Sequence, residues 1–175
     1  MTLSTTAEPA FATSNAPPAT SRTQVVELLN WRLADALDLQ SQCKQAHWNV
    51  KGPQFIALHK SFDDVYGGVA EHADLLAERI VQLGGVAHGS VRDVAEASQL
   101  DEYPPTISSG EDSVKSLSAA VLAFGSRMRL AIGEADELDD GATADASTEI
   151  ARGATNGCGS SKPTSRRGLE AATRQ

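Results

Sequence analysis

The chain has 175 residues, 41% of them hydrophobic and only 5% aromatic, which is enough for one domain around a single core and is not the composition of a disordered chain. A formal net charge of −8 excludes a nucleic-acid binder that works through its overall field. The charge is uneven: residues 151–175 hold Arg152, Lys162, Arg166, Arg167 and Arg174 against Glu170, a local +4, and the remaining ten bases and 22 acids leave a body of −12. Two cysteines are too few for a disulfide framework, and Cys43, in a periodic stretch, is predicted to be a small core residue. The N-terminal segment lacks a basic region followed by a long apolar one, so no secretory signal is expected. The apolar run Ala119 to Phe124 is far too short to span a bilayer. A soluble, cytoplasmic protein with no membrane partner is expected.

Residues 1–22, rich in Thr, Ala, Ser and Pro, carry no helical period and are predicted to form a flexible arm. From about Thr23 to Val50, apolar residues recur in three- and four-residue steps at Val25, Leu28, Leu29, Leu33, Ala36, Leu37 and Cys43, as in a long amphipathic helix ended by Gly52-Pro53. A second helix is predicted from Phe55 to Leu83, with Phe55, Leu58, Phe62, Val65, Val69, Leu76 and Ile80 on its buried stripe and Gly84-Gly85 as its stop. The connection 86–109 has room for a short helix at Val91–Ser98 before Pro104-Pro105. Ser109-Gly110-Glu111-Asp112 starts a third long helix that runs to about Leu138. A fourth begins near Gly141–Ala144 and keeps small or apolar residues to Ile150. The plan is an all-α four-helix bundle with one long crossover carrying a short helix. It has an arm over 1–22, a domain over 23–153 and an irregular basic tail over 154–175.

Four residues able to ligate a metal stand on the second helix. With His59 at zero, Asp63, Asp74 and Glu78 fall at about 40°, 60° and 100° around the axis, so all four share one face. Imidazole and carboxylate donors suit Fe(II), Mn(II) or Zn(II). Asp63 and Asp74 lie about 16 Å apart along the axis, so the helix carries two half-sites, His59/Asp63 and Asp74/Glu78. A second, antiparallel copy of the helix across a two-fold axis completes both. His59 and Glu78, and likewise Asp63 and Asp74, are equidistant from a point between Gly68 and Val69, so one axis serves both pairs. Gly67, Gly68 and Ala70 let two helices approach closely there, which explains two mid-helix glycines that each cost about 1 kcal/mol relative to Ala. The same spacing also fits a plain solvated face. His47, at the end of the first helix, is a fifth candidate. His72 and His88 receive no role, and the absence of any Glu-x-x-His pair argues against a di-iron centre inside one bundle.

The stretch Lys44-Gln45-Ala46-His47-Trp48-Asn49-Val50-Lys51-Gly52 is followed by Leu58-His59, Phe62-Asp63 and Ala70-Glu71-His72-Ala73-Asp74-Leu75-Leu76-Ala77-Glu78-Arg79. These residues, within a similarity over about 23–153, resemble the Dps family, the DNA-binding proteins of starved cells. The resemblance implies a ferritin-like four-helix bundle assembled into a hollow twelve-subunit shell, a dodecamer. It implies ferroxidase sites between two-fold-related subunits, with His47, His59 and Asp63 from one subunit, Asp74 and Glu78 from its partner, and Trp48 beside the site. The implied reaction is oxidation of Fe(II), preferentially by hydrogen peroxide, with iron stored as ferric oxide. Asp136, Glu137, Asp139, Asp140 and Asp145 resemble acidic three-fold pores; Asp140 and Asp145 are the pore candidates. An acidic helix start stabilised by the macrodipole accounts for the same cluster.

Two segments depart from the family pattern. Residues 1–21 hold no Lys or Arg, so the arm offers no cationic handle for DNA. After Ile150 the only large aliphatic residue is Leu169, and Ala146 and Ser147 are small for their positions. One permitted reverse translation of residues 154–165, read in a shifted frame, gives an aromatic and apolar stretch like the usual family ending, so a one-base slip is one reading of the tail and a native basic tail the other. Two other readings fit the sequence: a DNA-compacting, nucleoid-associated protein using the basic tail on phosphates, and a catalytically silent helical assembly protein.

Overall fold

The computed structural model describes residue 11 and residues 18–159, with side chains to Ala154. Five helices follow in order: α1 (Ala19–Asn49), α2 (Phe55–Gln82), α3 (Val91–Ala97), α4 (Gly110–Glu137) and α5 (Gly141–Gly159). No strand occurs among the described residues, where the only β pairing is the isolated bridge Lys51–Ser109. Helices α1, α2, α4 and α5 make the bundle: α1 packs on α2 and α4, α5 on α4 and α2, and the short α3 lies on α1. No helix among the described residues is long and apolar enough to cross a membrane.

The periodic stripes are the core. Val25, Leu29, Leu33, Leu39, Leu76, Ile80, Phe124, Met128 and Ile150 are buried together, each large side chain contributing roughly 1.5–3 kcal/mol. Cys43 is fully buried, as its place in the stripe predicts, and burial pushes its thiol up to about 12. Phe55 departs from the expected stripe: at the first turn of α2 it is 38% exposed, because its neighbour is His59 rather than the core.

The helix ends also differ from expectation. α1 starts at Ala19, inside the segment read as arm, directly after Pro18, a residue that suits the entrance to a helix but not its interior. α5 runs to Gly159, six residues beyond the boundary drawn at 153. It is packed up to its last described side chain: Ala151 and Ala154 are buried, and Gly125 of α4 leaves room for the Ala154 methyl. The rest of the basic tail lies outside the described residues. Along its inner face α5 supplies little bulk. Ser147 is fully buried with no partner for its hydroxyl, and a gap of about 60 Å³ opens between Leu39, Val69, His72, Phe124, Gly153 and Ala154.

The long crossover is strapped down most heavily around Gln99. Gln99 donates its backbone N–H to Asp35 (2.8 Å) and accepts from Arg127 at its backbone carbonyl and from Arg32 (3.1 Å) at its side chain. Beside it, Ser98 donates to Asp38 (2.6 Å) and Gln42 to the Asp101 carbonyl (3.0 Å). Desolvation raises the pKa of the fully buried Asp35, against the pull of the Gln99 amide and Arg32. These bonds satisfy an irregular segment that no helix ladder serves.

Candidate metal centre

The end of α1 and the first turns of α2 bring His47 and His59 face to face. Their ring centroids are 3.5 Å apart and the planes differ by 25°. The bonds that hold them are reciprocal: Nδ1 of His47 lies 2.8 Å from the His59 carbonyl, and Nδ1 of His59 lies 2.9 Å from the His47 carbonyl. A carbonyl only accepts, so each Nδ1 carries a hydrogen. In the neutral ring this leaves the Nε2 lone pair free, the tautomer a metal-binding imidazole needs.

Asp63, one turn beyond His59, completes this end of the face. Its carboxylate is ion-paired with Lys44 and stands 3.8 Å from His47 Nδ1. Hydrogen bonding from Lys44, and then its positive charge, holds the Asp63 carboxyl below its ordinary value, against the opposing effect of desolvation. Lys44 itself lies over the Tyr66 ring, 4.6 Å from the centroid. Lys44 and Tyr66 escaped the reading of the sequence. The signal available was Lys44 three residues before His47, on the same face of α1.

The other two candidates stand apart. Asp74 and Glu78 are exposed on the second half of α2 and make no ion pair with a described residue. Among the described residues, no group of three or more His, Cys, Asp or Glu in one chain is arranged to hold a metal ion. A single chain therefore carries a His-rich half and an acidic half that do not meet. Between them Gly67 and Gly68 face open space, with nothing within 4 Å of where a Cβ would sit. Trp48, next to His47, is 69% exposed.

Residues 26–153 match the ferritin-like domain family. A DNA protection during starvation protein from Agrobacterium fabrum is 40% identical over 140 residues, covering 80% of this chain and 86% of that protein. The chain belongs to the ferritin-like Dps family. A Dps protein from Bacillus brevis superposes with a TM-score of 0.76 at 30% identity, covering 81% of this chain and 94% of that one. An archaeal Dps homologue from Halobacterium salinarum gives 0.80 at 28% identity, covering 90% and 88%.

Of the two pore candidates of this Dps chain, the structure turns Asp140 inward, which corrects the expectation for that residue. It is 2% exposed, accepts from Arg79 Nη2 (2.7 Å), and caps the start of α5 by accepting from the Thr143 amide (3.2 Å) and hydroxyl (2.8 Å). Arg79 also donates to the Thr143 hydroxyl (3.0 Å). A buried carboxylate committed to a guanidinium and a helix N-terminus is not available to a passing cation. Asp145 is exposed, as are Asp136, Glu137 and Asp139. His72, which received no role, is half-buried with its Nδ1 unpartnered, and desolvation lowers its pKa.

Proposed function

We propose that this Dps chain oxidises Fe(II), preferentially with hydrogen peroxide, at sites shared between two copies, and stores the ferric product in a hollow shell of twelve copies. The observation that carries this is the reciprocal bonding of His47 and His59, which orients two imidazoles with free Nε2 lone pairs beside the ionised Asp63. Such bonds are how proteins fix a metal-binding imidazole. The sites closed by a two-fold axis between Gly68 and Val69 join His47, His59 and Asp63 of one copy to Asp74 and Glu78 of the other. On this arrangement the two sites of a pair lie about 22 Å apart.

The residues divide the work. Imidazoles suit Fe(II), whereas the three carboxylates favour the higher charge of Fe(III) and so draw the reaction towards oxidation. Two Fe(II) supply two electrons to one peroxide, which takes up two protons and leaves as two waters, so no hydroxyl radical is released. DNA is then protected by removing both reagents of that radical chemistry. Exposed Asp145, in the acidic body, is the residue we assign to cation entrance at a three-fold pore.

Peroxide-driven Fe(II) oxidation, followed by ferric absorbance, tests the reading. Loss of the reaction in both His59→Ala and Asp74→Ala is expected; full activity in a variant lacking both residues sinks the assigned sites. Light scattering of the full chain checks the shell. A second reading, direct DNA contact by residues 151–175, is favoured by their +4. It predicts salt-sensitive retardation of duplex DNA that disappears on truncation after residue 152.

A further inference from the structure

We propose that Ile56 of one copy packs against Val81 of a second copy and closes the outer edge of each shared metal site; this rests on the two-copy reading above. Ile56 is 76% exposed and Val81 59% exposed, whereas Phe62, Val69, Leu76 and Ile80 of the same helix α2 are buried. On the angular scale that puts His59 at zero they stand at about 60° and 40°, inside the sector of Asp63, Asp74 and Glu78. They are also equidistant from the point between Gly68 and Val69, so the axis that joins the half-sites sets each against the other.

The register is specific to this pairing. Moving the axis by about one turn towards the N-terminus sets Ile56 against Asp74, an aliphatic side chain on a carboxylate. Moving it as far the other way sets Ile56 against His88, beyond the end of α2. One register alone places apolar on apolar, ligand on ligand, and Gly67 on Ala70. The face is self-complementary in the sense that a two-fold contact requires.

The His end of the face already has apolar company. Trp48 is exposed beside His47, and the Phe55 ring lies 5.0 Å from that of His59. Val81 of the second copy adds to the Phe55–Ile56 edge and shuts bulk water out of the space between imidazoles and carboxylates. Exclusion of water strengthens every charge interaction inside.

Paired cysteines test the geometry without metal. Ile56→Cys and Val81→Cys are introduced singly and together on a Cys158→Ser background. Cys43 stays inert, being fully buried with its thiol pushed up to about 12. Both new positions are exposed in the single chain, so its fold is expected to survive; circular dichroism checks this. Diamide oxidation in EDTA is expected to convert the double variant to a covalent dimer on a non-reducing gel. Each single variant is expected to stay monomeric, because two copies of one position lie about 37 Å apart and a disulfide needs Cα atoms within about 7 Å. No dimer from the double variant, or an equal yield from either single one, overturns the pairing. A cross-linked dimer that binds no Fe(II) supports the pairing and sinks the metal reading instead.

Discussion

The two ends of the ligand-bearing face of α2 are built differently. At the N-terminal end, His47 and His59 are oriented by each other's carbonyls and Asp63 is held by Lys44. At the C-terminal end, Asp74 and Glu78 stand in solvent with no ion pair among the described residues. The difference is physical. Imidazoles must be fixed in one tautomer before they can bind, and neighbouring backbone can do that within one chain. Carboxylates need only a cation, and crowding them before one arrives costs Coulomb energy. On the proposed reading, the organised half waits for the ion and the loose half for a partner chain.

The largest test of this division is complementation. His59→Ala spoils only the organised half of a copy and Asp74→Ala only the loose half, so each variant alone should have almost no oxidation activity. Co-refolded in equal amounts, half the pairs combine one chain of each kind, and in those pairs one of two sites has both halves intact. About one quarter of the wild-type rate is expected back. If mixing restores nothing while the subunits demonstrably exchange, the two halves do not belong to different chains.

A several-fold effect is expected at Lys44. Its ammonium occupies the Asp63 carboxylate, so an incoming cation must displace it. Lys44→Gln should tighten Fe(II) or Co(II) binding by up to about fivefold, the scale of a solvent-screened surface ion pair. The Asp74→Ala variant provides the contrast: there the same Lys44 change should still act, since Lys44 touches only the organised half. Anaerobic titration by calorimetry reads both. Unchanged affinity on removing Lys44 would show that the pair opens at no cost.

The two ends also differ in how far they could be read from the residues. The stripe His59, Asp63, Asp74 and Glu78 was legible because helical spacing fixes angle and rise, and the helix it needs is there from Phe55 to Gln82. The five-element order was legible for the same reason. What linear spacing cannot convey is a bond between segments. His47 was a candidate by its place, but the exchange of Nδ1 bonds with His59 depends on the turn at Val50–Gln54, whose Gly52 takes a left-handed φ of 112°. For Asp140 the acid-rich turn left a pore and a helix start equally open, and what selects the helix start is Arg79, 61 positions earlier, which draws it in. The extent of α5 was not legible because Gly and Asn are poor helix formers, and linear spacing does not convey the burial of Ala151 and Ala154.

Between the two ends, the glycines give a smaller effect with opposite signs in two assays. Nothing lies within 4 Å of a Cβ built on Gly67, so Gly67→Ala should stabilise the isolated chain by up to about 1 kcal/mol through helix propensity. In the proposed pairing the same methyl sits where two helices cross most closely. Urea unfolding under dissociating conditions should show the gain, and sedimentation equilibrium should show weaker association. A gain in both would place the contact elsewhere on α2.

The smallest expected effect separates the ends by pH in metal-free protein. The Asp63 carboxyl is held below its ordinary value, chiefly by the hydrogen bond from Lys44. A carboxyl whose pKa is depressed in the folded state stabilises the fold above its unfolded value near 3.8 and loses that contribution as pH falls through the depressed value. Asp63→Asn should therefore lower stability at pH 6 and match the wild type well below pH 3.8, where both side chains are neutral. Solvent screens so exposed a pair, and the difference should fade in high salt. Asp74→Asn, with no cation beside it, should show no such loss at pH 6. Equal pH dependence in the two variants, measured by urea unfolding in EDTA, would mean that Lys44 does not distinguish the organised end from the loose one.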